Sequence, residues 1–94
     1  MRRNRLWKII EHYGEGRQLD KAIEECNELI DVLKQCREEY PNAPKEHLAE
    51  ELADVAVMMQ QIMLIYGIES DDVIDISRYK IVRTLLRMCE EDLK

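Results

Sequence analysis

Two pairs of carboxylates stand at i, i+3 spacing in this chain, Glu25 with Glu28 and Glu51 with Asp54. On a helix that spacing puts both members of a pair on neighbouring positions of one face. At about 100° per residue, Glu25 points between Leu29, Val32 and Cys36, at the border of an apolar arc, with Glu28 at its side. Glu51 shares the direction of Val55, Met58 and Ile62, and Asp54 lies about 60° to one side of it. Acids aimed toward a core lose hydration and repel one another, so a bare cluster of them is unfavourable by several kcal/mol or takes up protons. A cation among them removes that penalty. Oxygen-only donors favour a hard ion, Mg²⁺, with Mn²⁺ as the alternative. A di-iron bundle needs Glu-x-x-His on two helices, and neither histidine provides it: Ile9 stands three residues before His12, and Pro44 three before His47. His47 does lie one turn before Glu51 on the same face, at the edge of the acids or simply at a helix start.

These residues must be held by helices. The chain has 94 residues, three Gly, two Pro and no Phe, and the interiors of its segments are rich in Leu, Glu, Lys, Met, Ala and Arg, which favour helix. Turn formers cluster at Gly14-Glu15-Gly16, at Tyr40 to Pro44 and at Gly67 to Ser70, which predicts four helices over 3–13, 17–39, 44–66 and 70–92. Pro44 suits a first helical position, and Ser70 suits a cap followed by Asp71 and Asp72 in the first turn. Loops this short predict antiparallel neighbours, hence a single all-α, antiparallel four-helix bundle-like domain spanning 1–94. Asp20, Glu24, Asp31, Lys34 and Glu38 fall on the solvated side of the second helix, opposite an arc of Leu19, Ala22, Ile23, Cys26, Leu29, Ile30, Leu33 and Cys36. A hairpin turning near 40–43 brings Glu28 level with Asp54 and within about one helical turn of Glu51, so the two acidic pairs face each other. A second hairpin turning near 67–69 would bring Lys80 and Arg83 level with Asp54, as salt-bridge partners of the acids or as phosphate clamps.

The run Gln18 to Leu29, followed by Glu50-Glu51-Leu52-Ala53-Asp54-Val55, resembles the MazG-like nucleotide pyrophosphohydrolases of the all-α NTP pyrophosphatase superfamily. Its E-x-x-E and E-x-x-D signature falls on Glu25, Glu28, Glu51 and Asp54. The resemblance implies Mg²⁺-dependent hydrolysis of a nucleoside triphosphate to the monophosphate and pyrophosphate. It makes the four carboxylates metal ligands, with one glutamate orienting or deprotonating the attacking water, and Lys80 and Arg83 phosphate-binding residues. Gln18 and Lys21, on the face of Glu25, match the family's usual upstream residues and become candidates for substrate contact. Phosphoribosyl-ATP pyrophosphatase shares the acidic pattern, but its glycine- and lysine-rich approach to the first acidic pair is not evident in Gly14-Glu15-Gly16-Arg17-Gln18. Two further readings remain: a non-catalytic helical oligomer acting as adaptor or regulatory subunit, and a metal-storing or metal-sensing bundle. A scaffold would have no need of four carboxylates at apolar borders.

Composition narrows the partners. Twenty acids against 14 Lys and Arg give a net charge of −6, which disfavours binding to a nucleic-acid polymer or an anionic membrane. A small phosphorylated ligand held through metal ions is compatible with it. Cys26, Cys36 and Cys89 form an odd set without C-x-x-C or zinc-type spacing, and with no leader or membrane span apparent the expectation is a cytoplasmic protein with reduced thiols. A domain this size hides only about 60–65% of its unfolded surface. Apolar residues on second sides of helices, Val57 and Leu64 on the third and Val82 and Leu86 on the fourth, add to an expectation of a homodimer or homotetramer. Trp7 and the Met58, Met59, Met63 group are expected to pack rather than to bind ligand.

Overall fold

Asn4 opens the first helix by accepting a hydrogen bond at its side-chain oxygen from the Leu6 backbone N–H, 2.8 Å away, and so satisfies a donor the helix itself leaves free. The computed structural model describes residues 4–94; residue 3, the predicted start of this helix, lies outside them. Four helices follow: α1 (Arg5–Tyr13), α2 (Glu15–Glu39), α3 (Lys45–Tyr66) and α4 (Ser70–Asp92). Among the described residues no strand occurs, and the fold is the all-α one expected.

The boundaries differ from expectation where backbone geometry decides them. The first break is Gly14 alone, at φ 95°, a conformation that side-chain-bearing residues avoid, while Gly16 is helical. Pro44 precedes α3 rather than forming its first residue, and Ser70 is already helical, with Glu69 in the extended capping position. Gly67 ends α3 in the left-handed region at φ 66°, and the Ile68 N–H donates to the Met63 carbonyl at 2.8 Å, the hydrogen bond of a Schellman cap.

The α2 and α3 helices pack along each other as the predicted hairpin, and α1 packs against both, away from the α2–α3 turn. The second hairpin does not close. Between α3 and α4 the chain direction changes by 117°, short of the reversal that would lay α4 on α3, and no described α4 residue is buried. The radius of gyration is accordingly 17.3 Å, against about 13 Å for a compact chain of about 100 residues. The expected juxtaposition of Lys80 and Arg83 with Asp54 therefore does not occur within one chain.

The apolar core is small: Ile10, Ala22, Val32 and Met58 are buried, joined by the polar Gln18, Glu25 and Gln61. Much of the predicted α2 arc stays open, with Ile23, Ile30 and Leu33 exposed, and Leu52 and Met59 of α3 are exposed as well. On α4, Ile74, Ile81, Val82, Leu85 and Leu86 are all exposed. Much of the apolar surface of the described residues is therefore uncovered within the single chain. Cys26, Cys36 and Cys89 are free thiols, and no single described helix is long and apolar enough to cross a membrane.

Candidate metal centre and adjoining cleft

The α2–α3 hairpin brings together one carboxylate oxygen each from Glu25, Glu28 and Glu51, all within 4.8 Å of one another. Their burial differs: Glu25 is 6% exposed, Glu51 is half-buried and Glu28 is exposed. Each of the two deeper acids has one engaged oxygen. Lys21 Nζ lies 3.1 Å from Glu25 Oε1, and His47 Nε2 lies 3.4 Å from Glu51 Oε1. With the neighbouring carboxylates ionised, their other oxygens, Glu25 Oε2 and Glu51 Oε2, are buried without a hydrogen-bond partner. An unsatisfied buried acceptor costs about 1–3 kcal/mol. Two of them on facing helices, with a third carboxylate at hand, form an all-oxygen donor set that fits a hard divalent cation.

The charge crowding is felt by Glu28, whose carboxyl is raised above the ordinary glutamate value of 4.5, first by the negative charge of Glu25, then by a hydrogen bond that its protonated form donates to Glu25, by partial desolvation and by Glu51. Lys21 is raised from 10.5, chiefly by its hydrogen bond and charge contact with Glu25. For Glu28 the folded state binds its proton more tightly than the unfolded state. Its contribution to stability is thus present below pH 4.5 and is lost as pH rises through the raised value. In metal-free protein, thermal melts across that window should show a stability component that declines with rising pH and disappears in Glu28→Gln. An unchanged profile in that variant would refute the assignment.

Asp54 does not join the three glutamates. It is exposed and faces an open cleft of about 650 Å³ beside them, bounded by α1, α2 and α3. Gln18 and Lys21 line the same cleft, next to Glu25. Sequence reasoning missed Arg17 at the rim, Ile9 and Tyr13 contributed by α1, and Gln61 on the floor. Gln61 carried a signal, a polar residue inside the apolar run of α3; the α1 residues carried none, since the packing angle of α1 has no local signature. Trp7 is half-buried and lies outside this lining, as a packing residue should. Met58 is both buried core and cleft wall. On α4, the Arg83 guanidinium rests 5.9 Å from the centre of the Tyr79 ring, away from the acids.

The all-α hairpin thus holds three clustered carboxylates beside a cleft lined by the basic Arg17 and Lys21. Compared with known families, the chain matches the MazG nucleotide pyrophosphohydrolase domain over residues 16–84. It belongs to that family. Comparison with curated proteins and with solved structures gives no significant match.

Proposed function

We propose that this protein hydrolyses a nucleoside triphosphate to the monophosphate and pyrophosphate, with Mg²⁺, or Mn²⁺ in its place, held by Glu25, Glu28 and Glu51, and with Asp54 on the adjoining cleft wall as the fourth carboxylate of the signature. The observation that carries this reading is the pair of partnerless buried oxygens, Glu25 Oε2 and Glu51 Oε2, the first on a residue that lines the cleft of about 650 Å³, in a chain of this family. A bound divalent cation there supplies charge neutralisation at the phosphate oxygens and a water of lowered pKa. The chain does the rest. One glutamate of the cluster orients the water and accepts its proton as the water oxygen bonds to the α-phosphorus and the α–β bridging P–O bond breaks, releasing pyrophosphate. Lys21 and Gln18 contact the substrate from α2. The scaffold alternative gains nothing from buried, partnerless carboxylates.

The exposed apolar α4 supports a homodimer or homotetramer in which α4 of one copy covers the α2–α3 hairpin of another. That arrangement brings Lys80 and Arg83 to the acids between subunits, where they neutralise phosphate charge as it develops. It reconciles basic residues suited to the site with a helix that leaves its own hairpin.

Incubation with Mg²⁺ and a panel of ordinary, deoxy and modified nucleoside triphosphates is expected to release monophosphate and pyrophosphate in equal amounts. Orthophosphate and diphosphate instead would place the cleavage at another bond and overturn the proposal.

A further inference from the structure

The floor of the cleft is an amide pair, and its geometry is restrictive. Gln18 is 7% exposed and Gln61 2%, and the Gln18 Nε2 donates to Gln61 Oε1 at 2.7 Å across the α2–α3 interface. The Gln61 Nε2 is itself turned to Met58 Sδ, 3.9 Å away. A free carboxamide rotates to exchange its oxygen and nitrogen, offering a ligand either order of donor and acceptor. Because Gln61 presents an oxygen, only the nitrogen of Gln18 can face it. The reverse order requires both amides to turn together and takes the Gln61 Nε2 off Met58 Sδ, so Gln18 is held in one orientation, with a second N–H and its Oε1 still available.

Its place along α2 says what it faces. Gln18 precedes Glu25 by about two helical turns, roughly 10 Å along the axis, with Lys21 between them. A nucleotide with its phosphates at the carboxylates and Lys21 spans that distance and puts its base over Gln18. The apolar and aromatic walls there, Ile9, Tyr13 and Val57, suit a planar ring. We propose that Gln18 reads the hydrogen-bonding edge of the nucleobase and that Gln61 is a positioning residue that fixes the order of donor and acceptor Gln18 offers. This rests on the nucleotide reading above. Cytosine and uracil, or adenine and hypoxanthine, have nearly the same shape but exchange donor and acceptor on that edge. A fixed amide pairs with one order and meets the other with like groups opposed.

Calorimetric titration of the Mg²⁺-loaded protein with CMP, UMP, AMP, IMP and pyrophosphate tests this without turnover. Wild type is expected to separate the members of at least one same-shape pair by about 10-fold. Gln18→Met, similar in volume but unable to hydrogen-bond through an amide, should lower the better ligand to the level of the poorer. Gln61→Leu should instead tighten the poorer ligand, because a released Gln18 can turn over, while Gln61→Glu keeps an acceptor for Gln18 and should keep the discrimination. Pyrophosphate affinity should stay within about twofold in every variant, a result a general packing defect would not give. Equal affinities in wild type, an undiminished ratio in Gln18→Met, or a parallel loss of pyrophosphate binding would each overturn the proposal. Any of these alongside intact pyrophosphate release from triphosphates would sink this inference alone; failure of that release would sink the reading beneath it.

Discussion

Replacing Glu51 by glutamine is expected to lower kcat/KM by on the order of 10³-fold, the scale of removing one preorganised charge-stabilising group from a phosphate or oxyanion site, while leaving the helical content unchanged. Glu51 Oε2 is buried with no hydrogen-bond partner, on the helix face that meets Glu25 and Glu28. Glutamine keeps the shape and one acceptor but removes the charge that binds a cation. Its effect on stability should have the opposite sign from its effect on activity. In metal-free protein the substitution relieves carboxylate repulsion, and each 1 kcal/mol gained raises Tm by about 4–8 °C in a domain of this size. Wild type should gain Tm on adding Mg²⁺, by mass action on the folded state; Glu51→Gln should gain little. Glu25→Gln should behave in the same way, with the further release of Lys21, which lies 3.1 Å from Glu25 Oε1 in the folded chain. Full activity in either variant, or an unchanged Mg²⁺-dependent rise in Tm, would show that these oxygens are not the metal site.

The second large effect concerns α4. Leu85 is 53% exposed on a helix with no buried described residue, so in an isolated chain Leu85→Glu should change stability by less than about 0.5 kcal/mol. If α4 instead seats on another copy, the same change puts an unpaired charge in an apolar interface. Sedimentation should then show monomers where wild type is oligomeric, and activity should fall with assembly. Complementation tests where Lys80 and Arg83 act. Glu51→Gln and Arg83→Ala are each expected to be nearly inactive alone, yet mixed and reassembled as dimers they should recover roughly a quarter of wild-type activity, since half the dimers are mixed and each of those holds one intact site. Cations acting within their own chain would give no recovery, and a stable wild-type monomer at micromolar concentration would remove the interface altogether.

Much of the acidic site was legible because its determinants are local. The i, i+3 spacing places each pair on one face of a helix, and the short Tyr40–Pro44 connection sets which residues of α2 and α3 stand level. Glu25 and Glu51 were recognisable as acids turned toward the apolar side, and they are the two with buried, partnerless oxygens. Asp54, about 60° off the core direction, lies exposed on the cleft wall beside the cluster of three glutamates. The same register arithmetic failed for Lys80 and Arg83 because it assumed that a short loop implies a closed hairpin. The left-handed Gly67 and the Ile68-to-Met63 hydrogen bond end α3 in a cap, and the chain leaves it at 117° instead of reversing.

By itself, the sequence determined the helices, the facing carboxylates of α2 and α3 and the hard-ion chemistry those carboxylates imply. These follow from helical periodicity and donor type, which a few neighbouring residues decide. Only the tertiary structure decided that α1 packs on the hairpin to wall a cleft, that Gln18 meets Gln61 across 43 residues of chain, and that α4 stands free with its apolar residues uncovered. Each of those depends on the angles at which helices pack and leave one another, and such angles arise from contacts between residues distant in the chain and from single backbone conformations at turns.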